Sequence, residues 1–379
     1  MEELMAASAE TAMNEICRQA VREGASDIHI EPRRDAVRVR FRRDGLLEER
    51  YTLRKHMAEK LAVRCKVMGR MNVAEARVPQ DGSAVFTEDG EDYDLRLSVL
   101  PSMYGETIVI RILSGRVAFI ERYELGMLPE QEAAFRRCLA GRSGMILTTG
   151  PTGSGKTSTL YAALKLLNRP EVSIISVEDP VEYRIPGITQ VAVNEKAGLT
   201  FAAGLRALVR QDPDILMIGE IRDRETAEMA VHAALTGHLV LSSLHTNNAV
   251  QAPLRLMDMG VPPYLIAASL SLVISQRLVR RLCPHCRARE GAYFTAPGCG
   301  ACGGTGRQGR TGIFEILEID GEARTLLHDA APPSALRTCM KRSGQPDMAE
   351  AARRAALEGR ITAEDAAWIA GEAEETIVL

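Results

Sequence analysis

The sequence predicts an α/β protein in which a small α+β domain precedes a larger, mostly parallel sheet. The chain has 379 residues, of which 46% are hydrophobic, so two or three domains are expected. Before about residue 114 apolar residues alternate with polar ones, whereas the later strands are apolar throughout. Alternation is typical of a sheet with one solvated face, and unbroken apolar strands are typical of a parallel sheet covered on both faces.

Composition and charge disfavour several classes of protein. The 47 basic and 50 acidic side chains leave a net charge of −3, and 4% of the residues are aromatic. Neither value favours nucleic-acid binding, which needs a positive field or stacking side chains. The acidic N-terminus lacks the pattern of a secretory signal, and no apolar run approaches the ~18 residues that span a bilayer. We therefore expect a soluble, cytoplasmic protein.

Residues 1–114 are predicted to form the α+β domain. Apolar residues at helical spacing indicate a first helix over residues 10–23. Three later segments alternate apolar and polar side chains, as strands do, and they begin at Val37, Tyr93 and Ile108. Several polar positions are arginines, so we expect a sheet with one apolar and one arginine-rich face. Residues 115–122 are predicted to be a linker.

Residues 123–280 are predicted to form the parallel-sheet domain. Its clearest strands are residues 145–148, 173–177, 215–218 and 239–244. Glycine or polar residues follow each of these strands directly. Because ligands of open α/β sheets bind outside the carboxyl ends of the strands, one site could collect the residues that follow all of them.

The segment after the first of these strands matches a phosphate-binding loop. It fits the pattern GxxxxGK(S/T) and leads into a predicted helix. The segment and the first helical residue after it are Gly150, Pro151, Thr152, Gly153, Ser154, Gly155, Lys156, Thr157 and Ser158. Glycines let backbone N–H groups turn toward a phosphate, and the helix N-terminus adds positive potential. Lys156 would reach the β- and γ-phosphates, and Thr157 would bind Mg²⁺.

Candidate catalytic residues follow the other strands. Glu220 comes after the strand at residues 215–218, where it could polarise the attacking water directly or through Mg²⁺. Glu178 ends the neighbouring strand and could order the water shell of the metal. His238 and His245 flank another strand and could sense the γ-phosphate.

Four arginines are candidates for neutralising charge on the phosphates. Arg206 and Arg210 are four residues apart on a predicted helix, so they share one face. Arg96 and Arg111 project from strands of the first domain. In a ring of subunits such side chains could reach a neighbouring nucleotide as arginine fingers. Without a ring of subunits, the simpler interpretation of each arginine is a surface residue that forms an ion pair.

Two cysteine pairs predict a zinc site within an insert at residues 281–312. The CxxC pairs are separated by 12 residues and consist of Cys283, Cys286, Cys299 and Cys302. This spacing is close to that of a zinc ribbon. Four thiolates leave no open position on the metal, so the site should be structural. Residues 313–379 are predicted to form a C-terminal helical domain.

Six segments of the chain carry a resemblance to a known family. They are ASDIHIEP from Ala25, DLRLSVLPSMYGETIVIRIL from Asp94, the phosphate loop, SVEDPVEY from Ser176, LRALVRQDPDILMIGEIRD from Leu205 and TGHLVLSSLHTNNA from Thr236. Through them nearly the whole chain resembles the secretion ATPases of type II secretion and type IV pilus assembly, the GspE/PulE/PilB family. The cysteine pairs and GRTGIFEIL from Gly309 are typical of its assembly and secretion branch.

The resemblance implies a RecA-like ATPase core, a PAS-like first domain, and ATP, Mg²⁺ and Zn²⁺ as cofactors. Lys156 and Thr157 would be the Walker A lysine and magnesium ligand, and Glu220 would be the catalytic glutamate of Walker B. The other implied roles are Glu178 as the aspartate-box glutamate, His238 and His245 as the histidine-box pair, and Arg96, Arg111, Arg206 and Arg210 as arginines that gather around the phosphates.

The resemblance also implies a homo-hexamer in which the first domain moves against the RecA-like domain during ATP hydrolysis. An inner-membrane platform protein would receive this motion and drive pilus or pseudopilus subunits outward. The ATPase would then associate with the membrane through its partners. Since the chain begins close to the family's first shared domain, we expect it to lack the longer N-terminal docking region of many relatives.

We therefore expect a Mg²⁺-dependent ATPase that powers type II secretion or type IV pilus assembly without direct contact to nucleic acid. Two alternatives stay open at this point. One is a motor that moves DNA in uptake or conjugation, which DNA would stimulate. The other is a nucleotide-switched scaffold with negligible turnover, whose rate would not depend on protein concentration.

Overall fold

The computed structural model describes residues 8–114 and 125–375. The chain falls into two compact units that divide between Val117 and Ala118. The predicted linker, residues 115–122, lies outside the described residues.

The first unit is built from helices and strands that alternate irregularly. In chain order they are α1 (Ala9–Arg22), β1 (Asp27–Pro32), β2 (Ala36–Arg43), β3 (Leu46–Arg54), α2 (Met57–Met68), β4 (Gln80–Glu88), β5 (Glu91–Ser102) and β6 (Gly105–Ser114). Helix α1 begins where the side chain of Ser8 accepts a hydrogen bond from the N–H of Thr11, as an N-terminal cap does. The predicted first helix is confirmed.

The strands of the first unit form one antiparallel sheet in the order β3-β2-β1-β6-β5-β4. Burial alternates along β2, where Val37, Val39 and Phe41 are buried. The buried side chains of the strands pack with those of α1 and α2 in one hydrophobic core. Both helices therefore cover the apolar face of the sheet, and the arginines between the buried positions lie on the other face, as the alternation predicts.

The second unit has more elements. In chain order they are α3 (Pro129–Leu139), β7 (Gly144–Thr149), α4 (Lys156–Leu167), β8 (Ile174–Glu178), β9 (Thr189–Ala192), α5 (Phe201–Leu208), β10 (Ile215–Ile218), α6 (Arg224–Leu235), β11 (Leu239–Leu244), α7 (Gln251–Asp258), α8 (Pro263–Ser269), β12 (Leu270–Leu282), β13 (Ala288–Glu290), β14 (Tyr293–Thr295), β15 (Arg307–Glu318), α9 (Gly321–His328), α10 (Pro333–Arg342), α11 (Met348–Leu357) and α12 (Ala363–Glu375).

The main sheet of the second unit has the strand order β15-β12-β7-β11-β10-β8-β9. All neighbouring strands are parallel except β15, which is antiparallel to β12. Every residue of β7, β8, β10 and β11 is buried, because the sheet is covered on both faces. The four predicted strands and their parallel arrangement are confirmed, and their carboxyl ends lie at one edge of the sheet.

Two long strands, β12 and β15, extend the sheet beyond the predicted set. Strand β15 begins inside the predicted insert (281–312) and ends inside the predicted helical domain (313–379), so the structure crosses that boundary. Glycines and arginines fill the first half of β15, and the apolar pattern starts only at Ile313. The first residues of β15 therefore could not be recognised as a strand from their composition.

In the described residues four helices, α9 to α12, follow β15, as expected of the predicted helical domain at residues 313–379. Helix α11 ends just before Gly359, whose φ of +69° lies in the left-handed region that favours glycine. Thr362 and Asp365 form a capping box, in which the Asp365 N–H donates to Thr362 Oγ1 at 3.2 Å. None of the helices in the described part of the chain combines the length and apolarity needed to cross a membrane.

Candidate active site

The phosphate loop connects β7 to α4 at the carboxyl end of a central strand. Its three glycines have positive φ values of 139° at Gly150, 79° at Gly153 and 90° at Gly155. Only glycine adopts such values without strain. A Cβ atom added to Gly150 would lie 2.5 Å from the carbonyl oxygen of Gln276. The loop therefore requires glycine both for its turn and for its close approach to β12.

The arrangement of the loop fits a bound phosphate group. No side chain caps the N-terminus of α4, so the first backbone N–H groups of this helix can serve a ligand. Thr157 and Ser158 are exposed on its first turn. Ser154 Oγ is buried and has no hydrogen-bond partner among the described residues. A phosphate would give these donors their acceptor.

Lys156 lies folded over the loop. Its Nζ donates to the carbonyl oxygen of Gly150 at 2.8 Å and to that of Pro151 at 3.1 Å. Burial lowers the pKa of Lys156 below its ordinary value; the carboxylate of Glu220 acts in the opposite direction and Arg277 in the same direction. The ammonium group is thus close enough to both charges to respond to them, and a phosphate would favour its charged form.

Gln276 and Arg277 of β12 are candidates that sequence reasoning missed. Gln276 is buried; its Nε2 donates to the carbonyl oxygen of Ser154 at 2.7 Å, and its Oε1 accepts from Thr159 Oγ1 at 2.8 Å. It thereby ties the loop to the first turn of α4. Arg277 is also buried and places a second positive charge near Lys156. A pair of polar residues inside an apolar run was the sequence signal that could have found both residues. Buried polar groups need hydrogen-bond partners, so such a pair indicates a polar site nearby.

Glu220 lies just beyond β10, between an arginine and a histidine side chain. Its Oε1 forms an ion pair with Arg222, and its Oε2 lies 3.3 Å from Nε2 of His245. Arg222 also approaches Asp179, at 3.8 Å. The structure thus brings Glu220 and His245 together, as expected of residues that follow adjacent parallel strands. Arg222 was not among the predicted site residues. Its position two residues after Glu220 was the one sign of it in the sequence.

Glu178 occupies a different environment from the one expected. It is 2% exposed, and its carboxylate accepts hydrogen bonds from Tyr161, from Ser176 Oγ at 2.6 Å and from Gln190 Nε2 at 3.1 Å. Burial, together with the adjacent Glu178, raises the pKa of Tyr161. Both carboxylate oxygens are therefore engaged inside the protein. Asp179, the next residue, and not Glu178, therefore approaches Arg222, which also pairs with Glu220.

His238 and His245 lie at opposite ends of β11. Nδ1 of His238 lies 3.0 Å from the carbonyl oxygen of Ala233, at the amino edge of the sheet. The two histidines are seven positions apart and flank the six residues of this extended strand, a separation of roughly 23 Å. Only His245 therefore lies at the edge that carries the phosphate loop. A role of His238 in sensing phosphate remains a prediction.

Arg206 and Arg210 do not share one α-helix. Helix α5 ends at Leu208, and Arg210 lies in a short 3₁₀ turn, Val209–Gln211. The expectation that both arginines lie on one α-helix is therefore wrong, because the turn tightens before Asp212, whose φ is +50°. Both arginines are exposed, and Arg206 forms an ion pair with Glu225 of α6. Their predicted role at the phosphates remains a prediction.

Arg96 and Arg111 belong to the first unit, where the structure places them side by side. They are cross-strand partners on β5 and β6. The side chain of Arg111 is 61% exposed, and its Nε lies 3.1 Å from Oδ1 of Asp27. The two predicted finger residues thus form one cationic pair on the arginine-rich face of the sheet.

The four predicted metal-ligand cysteines are also brought together. The sulfur atoms of Cys283, Cys286, Cys299 and Cys302 all lie within 4.8 Å of one another. The Sγ–Sγ distances are 3.9 Å for Cys283–Cys299, 4.0 Å for Cys286–Cys302 and 3.8 Å for Cys299–Cys302. Four thiolates around one Zn²⁺ at about 2.3 Å would be separated by roughly 3.8 Å. The cluster therefore fits a tetrahedral zinc ion.

Phosphate loop, acidic residue and histidine at one edge of a parallel sheet define a P-loop ATPase. Comparison with known proteins agrees with this class. The model of the type II/IV secretion system protein family matches residues 2–368. The chain is 47% identical over 353 residues to the type II secretion system protein HxcR of Pseudomonas aeruginosa, covering 93% of this chain and 75% of the relative.

Two further matches concern pilus motors. The chain is 44% identical over 382 residues to the type IV pilus assembly ATPase PilB of Thermus thermophilus, covering 96% of this chain and 43% of that protein. A crystal structure of the pilus retraction motor PilT with bound ADP matches with a TM-score of 0.66 and 26% identity, covering 94% of this chain and 96% of that one.

The chain belongs to the type II/IV secretion system protein family. The predicted resemblance to secretion and pilus-assembly ATPases is therefore confirmed, as is the RecA-like ATPase fold of the second unit. Membership of this family also confirms the expectation of an ATP hydrolase that serves ATP-driven secretion or pilus assembly.

Proposed function

We propose that the chain is a cytoplasmic, homo-hexameric ATPase motor that drives the assembly of pilus or pseudopilus subunits. The observation that carries this proposal is the convergence of the phosphate loop, Glu220 and His245 at one edge of the sheet. The names of the relatives support its place in type II secretion or type IV pilus assembly.

Each residue of the site in the second unit has a distinct part in hydrolysis. Lys156 and the N-terminus of α4 hold the phosphates, and Thr157 provides a hydroxyl ligand for the metal. Bound Mg²⁺ supplies positive charge that offsets the charge of the triphosphate. Glu220 accepts a proton from the attacking water after its contact with His245 or Arg222 opens. His245 can report this opening to β11.

In the first unit Arg96 and Arg111 would supply further charge to a nucleotide. Arg111 is exposed and its cross-strand partner Arg96 is partly exposed on a PAS-like domain, which supports a role of both arginines in a hexameric ring, together with Arg206, Arg210 and His238 of the second unit. Motion of the first unit during hydrolysis would pass to an inner-membrane platform protein. The chain would thus reach the membrane through this partner.

The four-cysteine cluster would hold a structural Zn²⁺. Backbone N–H groups of Cys299 and Gly306 donate to Sγ of Cys302 at 3.1 and 3.2 Å, as is common for metal-bound thiolates. Cys283 is buried and its own N–H bonds the carbonyl oxygen of Gly306 at 2.9 Å. The closed ligand set supports a structural and not a catalytic role.

The rate of ATP hydrolysis per subunit, measured over a range of protein concentrations, tests this proposal. We expect the rate to rise steeply as hexamers form, with assembly followed by molecular-mass measurement. The matched control is Lys156→Ala, which should remain inactive at every concentration.

Two outcomes would contradict the proposal. A very low rate that is independent of concentration would favour a nucleotide-switched scaffold. Stimulation of hydrolysis by DNA at low salt, with direct DNA binding, would favour a DNA motor.

A further inference from the structure

Asp27 lies in a row of charged residues that crosses the arginine-rich face of the first sheet. In register, Asp27 of β1 lies opposite Arg42 of β2 on one side and Arg111 of β6 on the other. Arg111 in turn lies opposite Arg96 of β5. Adjacent strands therefore carry three arginines and one aspartate, and this row has an excess of positive charge that suits an anion.

The contacts of Asp27 hold Arg111 in one orientation. Oδ1 of Asp27 accepts a hydrogen bond from Nε of Arg111 at 3.1 Å, and Oδ2 accepts one from Ser26 Oγ at 2.8 Å. Oδ2 also lies 3.7 Å from Nε of Arg42. Asp27 is 6% exposed, whereas the Arg111 side chain is 61% exposed. A buried carboxylate thus anchors a guanidinium that extends into solvent.

The atom that Asp27 contacts matters for what Arg111 can bind. The hydrogen bond uses Nε, so it does not occupy the two terminal nitrogens of the guanidinium. Those nitrogens form the planar fork that binds two oxygens of a phosphate side by side. A long side chain loses rotamer freedom when it binds a ligand, and an anchor at Nε removes part of that freedom beforehand.

We propose that Asp27 is a positioning residue, which holds the Arg111 guanidinium ready to bind a phosphate of a nucleotide. Asp27 itself does not touch the nucleotide and acts through Arg111. The inference rests on the proposed function, in which Arg111 supplies charge to the phosphates.

A double-mutant cycle on the full chain tests this inference. Asp27→Ala, Arg111→Ala and the double variant are compared for kcat and KM of ATP at a concentration at which the wild-type chain is assembled. We expect Arg111→Ala to lower kcat by about 100-fold or more. Asp27→Ala should lower kcat about tenfold through misplacement of the guanidinium, with little change in KM. The double variant should match Arg111→Ala within about twofold, because Asp27 has nothing left to position.

Glu31 provides a matched control on the same strand. Its carboxylate bonds Arg38 and Arg40, which we do not place at the phosphates. Burial acts to raise the pKa of Glu31, but hydrogen bonds from these arginines outweigh it and hold the pKa at about 2. Glu31 is thus charged at the assay pH, and Glu31→Ala should lower the unfolding temperature without lowering kcat.

Two outcomes would contradict the inference, and a second variant covers a failure to fold. If Asp27→Ala lowers kcat by the same factor in the wild-type chain and in Arg111→Ala, the positioning role is wrong. If Arg111→Ala turns over normally, the proposed role of Arg111 fails first and the inference falls with it. If Asp27→Ala does not fold, Asp27→Asn takes its place in the cycle, since the amide oxygen keeps one acceptor for Nε. A smaller loss of kcat that again vanishes beside Arg111→Ala would support the inference.

Discussion

Glu178 and Glu220 follow neighbouring parallel strands, yet their carboxylates have different surroundings. Glu220 is held by Arg222 and His245 at the edge of the sheet, where a ligand can displace these contacts. Glu178 is buried, and both of its oxygens accept hydrogen bonds from protein groups. A direct contact of Glu178 with Mg²⁺ would require that network to open.

Replacing Glu178 separates its structural contribution from its predicted effect on the metal. Both Glu178→Gln and Tyr161→Phe should lower the free energy of unfolding by about 1–2 kcal/mol, because each leaves a buried polar group without its partner. We expect only Glu178→Gln to raise the Mg²⁺ concentration for half-maximal hydrolysis. An unchanged Mg²⁺ requirement in Glu178→Gln would mean that this residue stabilises the fold alone.

Sequence reasoning located the residues that carry a motif and missed those that support them. Lys156 and Glu220 could be predicted because their chemistry demands a residue type at a fixed place after a strand. Gln276, Tyr161 and Arg222 have no such signature. Their importance depends on which side chain another strand or helix places beside them, and this is set by tertiary packing.

Among the elements, β12 makes the largest difference between sequence and structure. Its run of apolar residues resembles either a strand or a buried helix, and periodicity alone does not distinguish them. The structure shows that β12 pairs with β7 and presents Gln276 to the phosphate loop. Its last residue, Leu282, immediately precedes Cys283 of the four-cysteine cluster.

The cysteine cluster also borders the C-terminal helices. The N–H of Leu282 donates to the carbonyl oxygen of Arg360 at 2.9 Å, and Nη1 of Arg287 donates to that of Gly359 at 2.9 Å. A Cβ atom on Gly359 would lie 2.7 Å from the ring of Phe294 in β14. The segment between α11 and α12 is therefore packed directly on the insert.

Removal of two metal ligands should loosen this packing. In a Cys283→Ser/Cys286→Ser variant we expect zinc content to fall to background and hydrogen exchange to accelerate around Gly359, with loss of assembly. ATP binding by the phosphate loop should persist. Cys138→Ser, which lies outside the cluster, should keep its zinc. Full zinc content in the double variant would show that these cysteines do not hold the metal.

At the scale of the whole molecule, the carboxyl edge of one parallel sheet collects the phosphate loop, Glu220 and His245, the groups that we propose to carry hydrolysis. The unbroken apolar strands were enough to predict this edge, since parallel strands place their carboxyl ends together. His238 lies at the other edge, and Arg96 and Arg111 lie in the other unit. Their positions are consistent with a role in an assembled ring, which a single chain's sequence pattern does not specify.

We expect the second unit to hydrolyse ATP with Glu220 as the residue that activates water. The most direct measurement compares ATP binding and steady-state hydrolysis in Glu220→Gln with those of the wild-type chain. Glu228→Gln, which alters an exposed ion pair on α6, is the matched control and should hydrolyse ATP normally. We predict that Glu220→Gln binds ATP as the wild type does and loses hydrolysis by at least about 100-fold; near-normal turnover would contradict this assignment.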